Sequence, residues 1–124
     1  TFYSTVAGPA SVYEGTANFI KAFKAKYNST PQPFAAQSYD SMAICLKAIE
    51  NAAKANGNKV PTREAVAKAV RDLKEFKGIT GTFTFNDIGD PAKSLYFVIQ
   101  VGSKDPAKWS ENKIVKTLAI APPK

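Results

Sequence analysis

The spacing of the apolar residues changes along the chain, and this change is the strongest constraint on its fold. Between about residue 11 and residue 73, apolar side chains recur every three or four residues, which is the period of an amphipathic helix. From residue 82 onwards they alternate with polar residues or run continuously, which is typical of strands. The chain therefore combines a helical part with a strand-forming part.

The predicted elements follow this change of period. A short strand at residues 1–7 ends at Gly8-Pro9, and Thr62 is placed to cap the third helix. Gly57 is placed to end the second helix in a left-handed conformation. The helices are expected at residues 11–27, 35–55 and from 62 to about 73, the strands at residues 82–85, 94–101 and 114–120, and a tail at residues 122–124. Because residues 94–101 are almost continuously apolar, we expect both faces of that strand to be covered.

The helix at residues 35–55 is the clearest of these elements. It carries a wide apolar face and, beside it, a stripe of small residues that would let another backbone approach closely. The apolar face consists of Tyr39, Met42, Ala43, Ile44, Leu46, Ile49 and Ala53, and the stripe of Ser41, Cys45, Ala48 and Ala52.

The composition excludes several classes of site. The chain has no His and one Cys among its 124 residues, so it lacks imidazole bases, imidazole metal ligands and a pair of thiolates. Serine and cysteine triads, zinc sites that contain His or a Cys cluster, and internal disulfides are therefore excluded, and we expect no catalytic residue, metal site or cofactor. The length fits one domain or a piece of a larger one. Because the first residue is Thr1 rather than Met, we expect a segment of a longer protein.

The net charge of +7 raises the possibility of nucleic-acid binding, since phosphate contacts come from Lys and Arg. However, basic and acidic residues are interleaved in the third helix, and the aromatic residues fall on apolar faces rather than between the lysines. We therefore expect a solvated basic surface and no nucleic-acid partner. A small basic α+β module that binds nucleic acid or an acidic partner stays as the alternative.

Two short polar segments have both a structural and a functional interpretation. Residues 78–81, Gly-Ile-Thr-Gly, resemble a phosphate cradle, but they lead into a strand and lack a Lys-Ser/Thr pair, so a tight turn is favoured. Asn86, Asp87 and Asp90 resemble a calcium loop without its distal Glu, so a surface turn is favoured.

Tyr39 and Asp40 are the candidate ligand-binding residues, at the start of the second helix. An acidic side chain there is favoured by the helix dipole, which is the structural interpretation of Asp40. The functional interpretation is that an aromatic residue with a polar tip packs on an apolar ligand and hydrogen-bonds its head group beside a cleft.

The segment FKGITGTFTFNDIGD at residues 76–90 resembles a signature of the leucine/isoleucine/valine-binding family of periplasmic solute receptors. Other features occur in the same order and spacing as in that family. They are an F-x-x-x-F-x-x-x-Y helix at residues 19–27, Ser38-Tyr39-Asp40 at the start of an Ala-rich helix, TREAV at residues 62–66, and an apolar strand ending in Gln100-Val101. The resemblance covers nearly the whole chain.

The resemblance implies an α/β fold, namely the C-terminal part of a type I periplasmic-binding fold with two lobes around a cleft. It implies a receptor of an ABC importer rather than an enzyme, binding a branched-chain amino acid, an amide or an aromatic acid. Residues 1–124 would be the C-terminal segment of the ligand-binding domain, without its N-terminal remainder. Tyr39 and, less directly, Asp40 would contact the solute.

The same resemblance implies the partners and the location of the protein. The partners would be the solute, a membrane permease and the remainder of its own chain, and the location would be periplasmic, or extracellular and membrane-anchored. A ligand-sensing receptor domain of the same fold is a further alternative. An isolated fragment is expected to expose apolar surface and to self-associate.

Overall fold

The computed structural model describes residues 1–121, apart from the side chains of Trp109 and Ser110. The tail expected at residues 122–124 lies outside the described residues. The helices and strands, in chain order, are β1 (Phe2–Thr5), α1 (Ala17–Tyr27), α2 (Ala35–Ala55), α3 (Arg63–Arg71), β2 (Phe76–Lys77), β3 (Thr82–Phe83), β4 (Ser94–Gln100) and β5 (Lys113–Ile120). Within the described residues, none of the helices is both long enough and apolar enough to cross a bilayer.

An antiparallel sheet with the strand order β1-β4-β5 joins the two ends of the chain. The prediction that both faces of β4 are covered is wrong for the described residues. Phe97 and Ile99 are 3% and 1% exposed, whereas Tyr96 on the opposite face is 37% exposed. One face packs on Tyr13, whose ring meets that of Phe97 edge to face with 5.8 Å between the centroids. The continuous apolar run of β4 is therefore buried on only one of its two faces.

The first helix begins later than its apolar spacing predicts, at Ala17 instead of residue 11. Two 3₁₀ turns, Ala10–Val12 and Glu14–Thr16, precede it. The buried Thr16 hydroxyl lies 2.6 Å from the Ala10 carbonyl oxygen and 2.7 Å from that of Tyr13, and these contacts hold the tight turns in place. The local hydrogen bonds of this threonine therefore compete with the α-helix and delay its start.

Helix α2 has the predicted bounds and packs against α3. Its buried residues follow a four-residue step that forms one row along the helix: Ala36, Asp40, Ile44, Ala48 and Ala52. Of the small-residue stripe, Ala48 and Ala52 are buried, whereas Ser41 and Cys45 are exposed. The close approach to α3 therefore uses only the C-terminal half of the stripe.

The ends of α2 and α3 confirm two predicted caps. Gly57 follows α2 at a φ of 65°, where a residue without a Cβ is unstrained. The side chain of Thr62 accepts a hydrogen bond from the backbone N–H of Ala65 at 3.2 Å, at the start of α3.

Strands β2 and β3 form a short antiparallel hairpin around residues 78–81. The predicted strand at residues 82–85 is therefore shorter than expected. Phe85 makes only an isolated bridge with Pro91, and a proline offers no N–H to extend a ladder. The turn at residues 86–90 is held by the Asn86 side-chain oxygen, which accepts from the backbone N–H of Asp90 at 2.8 Å. A surface turn is thus the structure of the segment that resembles a calcium loop.

Candidate functional site

The carboxylate of Asp40 binds the hairpin turn between β2 and β3. One carboxylate oxygen accepts from the backbone N–H of Ile79 at 2.8 Å. The other accepts from the backbone N–H of Thr80 at 2.8 Å and from its hydroxyl at 2.6 Å. Asp40 is 2% exposed, so these three contacts take the place of its hydration. The side chain therefore fixes the turn to the start of α2.

The turn has the backbone geometry of an anion cradle, and the anion that it holds is Asp40 of the same chain. A Cβ at Gly78 would lie 2.6 Å from the carboxylate atoms of Asp40, and a Cβ at Gly15 would lie 2.7 Å from the Ile79 carbonyl oxygen. Both positions therefore need glycine for close approach. The N–H groups that resemble a phosphate cradle are occupied by a structural carboxylate.

Tyr39 lies on a different side of α2 from Asp40, and the structure does not bring the two candidate residues together. Tyr39 is 53% exposed, and its ring packs on Phe19 of α1 with 5.3 Å between the centroids. Phe23 and Tyr27 continue this aromatic row along α1 with successive centroid distances of 5.8 and 4.7 Å. Tyr39 therefore lies at one end of a row of aromatic rings that are tilted against one another by 50–53°, and about half of its surface is exposed.

The apolar face of α2 continues from Tyr39 towards the C-terminal end of the helix. Met42 and Leu46 are 60% and 59% exposed, and Ile49 is also exposed. Spacings of three and four residues place these side chains on one stripe. This exposed stripe is the apolar surface that a fragment was expected to show.

A cavity of about 600 Å³ opens beside the first turn of α2. Gln37 lines it from the helix and Phe34 from the position just before the helix, whereas Tyr13 lines it from between the two 3₁₀ turns and Thr80 from the turn held by Asp40. The Gln37 amide N–H donates to the Tyr13 hydroxyl oxygen at 2.6 Å. The cavity therefore lies where the helical layer meets the sheet layer.

The contact between Tyr13 and Gln37 is partly shielded from water. Burial raises the pKa of Tyr13 above its ordinary value, and the hydrogen bonds that the oxygen accepts offset only part of this effect. The tyrosine thus stays a neutral phenol at physiological pH. The other amide atom, Gln37 Oε1, is buried and has no hydrogen-bond partner among the described residues.

Sequence reasoning missed Tyr13, Phe34 and Gln37. No motif marks them, and Gln37 is 24 positions from Tyr13 along the chain. The one local signal was the polar side chain of Gln37 in the first turn of α2, two positions before Tyr39. In the part of the chain that the structure describes, no three Cys, Asp or Glu side chains are grouped so that they could hold a metal ion.

Comparison with known proteins gives one family match and several structural matches. The profile of a periplasmic binding protein family matches residues 1–106. Among curated proteins there is no significant sequence match. The leucine-binding protein LivK from Thermotoga maritima superposes with a TM-score of 0.70 at 22% identity, over 94% of this chain and 30% of that protein. LivJ from Streptococcus pneumoniae, a branched-chain amino acid transporter substrate-binding protein solved with isoleucine, superposes with a TM-score of 0.64 at 22% identity, over 98% of this chain and 30% of that protein.

The chain belongs to the periplasmic binding protein family, because the family profile covers most of its length. Its α/β structure matches part of the type I periplasmic-binding fold, which confirms the resemblance drawn from the sequence motifs. The chain spans about 30% of the length of these two structures. The family is one of extracytoplasmic binding proteins and is typically non-enzymatic.

Proposed function

We propose that the chain is part of the extracytoplasmic solute-binding receptor of an ABC importer for branched-chain amino acids or a related amide or aromatic acid. The observation that carries this proposal is the family match over residues 1–106. The likeness to LivK and LivJ supports it, because both are named as binding proteins for such amino acids. At 22% identity this likeness concerns the fold, so the identity of the solute belongs to the proposal.

In this proposal, residues 1–124 form the C-terminal segment of a two-lobed receptor, and the remainder of the protein completes the lobes. Two observations support it. The chain spans only 30% of the superposed structures, and α2 leaves a continuous apolar stripe uncovered. Soluble proteins seldom expose such a stripe unless something packs on it. Closure of two lobes around a solute would be the working motion, with a membrane permease as the partner that receives it.

Tyr39 is the proposed solute contact. Its ring is backed by Phe19, and about half of its surface is free to pack on an apolar side chain. The hydroxyl can hydrogen-bond a polar head group, as amphipathic aromatic residues do in binding sites. Asp40 supports the site as a positioning residue, because its carboxylate is bound to the turn at Ile79 and Thr80.

Isothermal titration calorimetry of the full-length protein tests this proposal. We expect binding of leucine, isoleucine or valine, or of an amide or aromatic acid. We also expect Tyr39→Ala to weaken binding of that solute by about tenfold or more, the effect of losing an aromatic anchor worth roughly 1.5–3 kcal/mol. Tyr27→Ala is the matched control, because Tyr27 is 57% exposed at the far end of the same aromatic row. An equal loss in both variants, or no binding of any of these solutes, would contradict the proposal.

A further inference from the structure

Asn56 and Gly57 follow the last residue of α2, at the start of the connection to α3. Every other asparagine of the chain is followed by a residue that carries a Cβ. An asparagine side chain loses its amide nitrogen when the backbone nitrogen of the next residue attacks its Cγ, and a glycine at that next position leaves this attack free of a side chain. The connection after α2 therefore contains the one asparagine that the sequence makes reactive in this way.

The side chain of Asn56 is held less firmly than those of two other turn asparagines. Asn56 and Gly57 are both exposed, and a Cβ at Gly57 would meet no atom within 4 Å. The Asn56 amide N–H donates one long hydrogen bond, at 3.3 Å, to the Val60 carbonyl oxygen. By contrast, the side-chain oxygens of Asn86 and Asn112 accept backbone N–H groups at 2.8 and 3.0 Å. Water therefore reaches the Asn56 amide, and little restrains its movement.

The attack requires only the last turn of α2 to open. The ψ of Asn56 is 27°, which directs the Gly57 nitrogen away from the Asn56 Cγ, so the backbone must rotate at this residue. This rotation breaks the hydrogen bond from the Gly57 N–H to the Lys54 carbonyl oxygen at 3.3 Å and that from the Asn58 N–H to the Ala53 carbonyl oxygen at 2.8 Å. Exposed helix ends open at a low free-energy cost. The reactive conformation is therefore accessible without global unfolding.

We propose that Asn56 is a site of spontaneous deamidation, which changes the end of α2 from neutral to negatively charged. The Gly57 backbone nitrogen loses its proton and forms a bond to the Asn56 Cγ, while the bond from Cγ to Nδ2 breaks and ammonia leaves. Water then adds to one of the two carbonyl carbons of the resulting five-membered imide and opens it. Addition at Cγ gives aspartate, and addition at the backbone carbonyl carbon gives isoaspartate, in which the main chain runs through Cβ and Cγ.

Both products loosen the connection between α2 and α3. A carboxylate at the C-terminal end of a helix is opposed by the helix dipole, and it has no N–H to donate to the Val60 carbonyl oxygen. Isoaspartate also adds a carbon atom to the main chain before Gly57, which moves the Asn58 N–H away from the Ala53 carbonyl oxygen. The hydrogen bonds that end α2 are therefore weakened in either product.

Peptide mapping by mass spectrometry tests this site in the full-length protein after incubation at neutral and at mildly alkaline pH. We expect aspartate and isoaspartate to accumulate at position 56 before any other asparagine converts. Conversion should be faster at the higher pH, because the attacking nitrogen must lose its proton. Asn58 is the internal control, because it is exposed in the same connection but is followed by Lys59. Gly57→Ala keeps the Asn56 side chain and should slow its conversion by about tenfold or more.

Hydrogen exchange in the Asn56→Asp variant tests the structural consequence. Exchange of the Asn58 amide should become about twofold to fivefold faster, since the new charge opposes the helix dipole. Asn18→Asp is the matched control, because it makes the same change in the first turn of α1, where the dipole favours a carboxylate, and it should not accelerate exchange in α1.

The proposal is overturned if Asn56 keeps its amide at the higher pH, if Asn58 converts as fast, or if Gly57→Ala converts as fast as the unaltered protein. Unchanged exchange of the Asn58 amide in Asn56→Asp would contradict the loosening of the connection. Both readouts are independent of solute binding, so they stand whether or not the function proposed above is correct.

Discussion

Replacement of Asp40 by Asn measures how strongly the start of α2 is fixed to the hairpin turn. The carboxylate accepts two backbone N–H groups at 2.8 Å and the Thr80 hydroxyl at 2.6 Å, and it is buried. An asparagine keeps one acceptor oxygen and places an NH₂ group against one of the backbone donors. Hydrogen bonds to a charged acceptor contribute about 1.5–3 kcal/mol each, and a donor left facing a donor costs a further 1–3 kcal/mol. We therefore expect Asp40→Asn to lower the free energy of unfolding by about 3–5 kcal/mol.

Urea denaturation and amide hydrogen exchange check this prediction at two levels. Denaturation reports the free energy of unfolding, and exchange at the Ile79 and Thr80 amides reports the local contact. Asp87→Asn is the control, because it makes the same chemical change at an exposed turn residue and should alter stability by no more than about 0.5 kcal/mol. The reasoning is refuted if Asp40→Asn costs no more than Asp87→Asn, or if both amides keep their full protection.

Two further predictions concern a glycine and a surface carboxylate. Gly78→Ala should lower the free energy of unfolding in urea by about 2–3 kcal/mol, because its Cβ would lie 2.6 Å from the Asp40 carboxylate. Gly57→Ala is the control, because its Cβ meets open space; its φ of 65° should lower the free energy of unfolding by only about 1 kcal/mol. The hydrogen bond from Lys54 chiefly lowers the pKa of Glu50 from 4.5 to about 2. The stabilisation from this carboxylate should therefore be complete above pH 4.5 and be lost as the pH falls towards 2. A carboxyl NMR titration at low salt should give that pKa, and a value near 4.5 would contradict it.

Local signals in the sequence were sufficient for the bounds of α2 and for the caps of two helices. The bounds of α2 and the caps at Gly57 and Thr62 follow from apolar spacing, a left-handed terminator and a side-chain acceptor, all within a few residues. The start of α1 was wrong, because the Thr16 side chain bonds back to carbonyl groups as far away as Ala10. The spacing of apolar residues does not show such hydrogen bonds from a side chain to backbone carbonyl groups.

The burial of the apolar residues was harder to predict than their positions. The spacing of Tyr39, Met42 and Leu46 correctly placed them on one face of α2, yet that face is exposed, while the row that contains Asp40 and Ala48 is buried. Apolar periodicity shows which residues share a face, but what covers the face depends on distant segments. The same reason explains why one side of β4 is uncovered.

The contacts around the candidate site could not be derived from local patterns. Asp40 binds backbone groups 39 and 40 residues away, and Gln37 binds Tyr13 24 residues away. From the sequence alone, Asp40 was interpreted as a helix-dipole contact or a ligand contact, and its bonds to a distant hairpin turn were not foreseen. The motifs nevertheless indicated the correct family, because they occur in order over nearly the whole chain.

A thermal-shift screen of the full-length protein tests solute binding most directly. The panel contains branched-chain and other amino acids, amides and aromatic acids, with duplex DNA at low and high salt as the control for the basic charge. At a hundredfold excess over Kd, a specific solute adds about 2.7 kcal/mol of stability. We expect such a shift with one class of solute and none with DNA. No thermal shift with any solute, together with a shift with DNA that weakens as the salt concentration rises, would contradict the proposed solute-binding function.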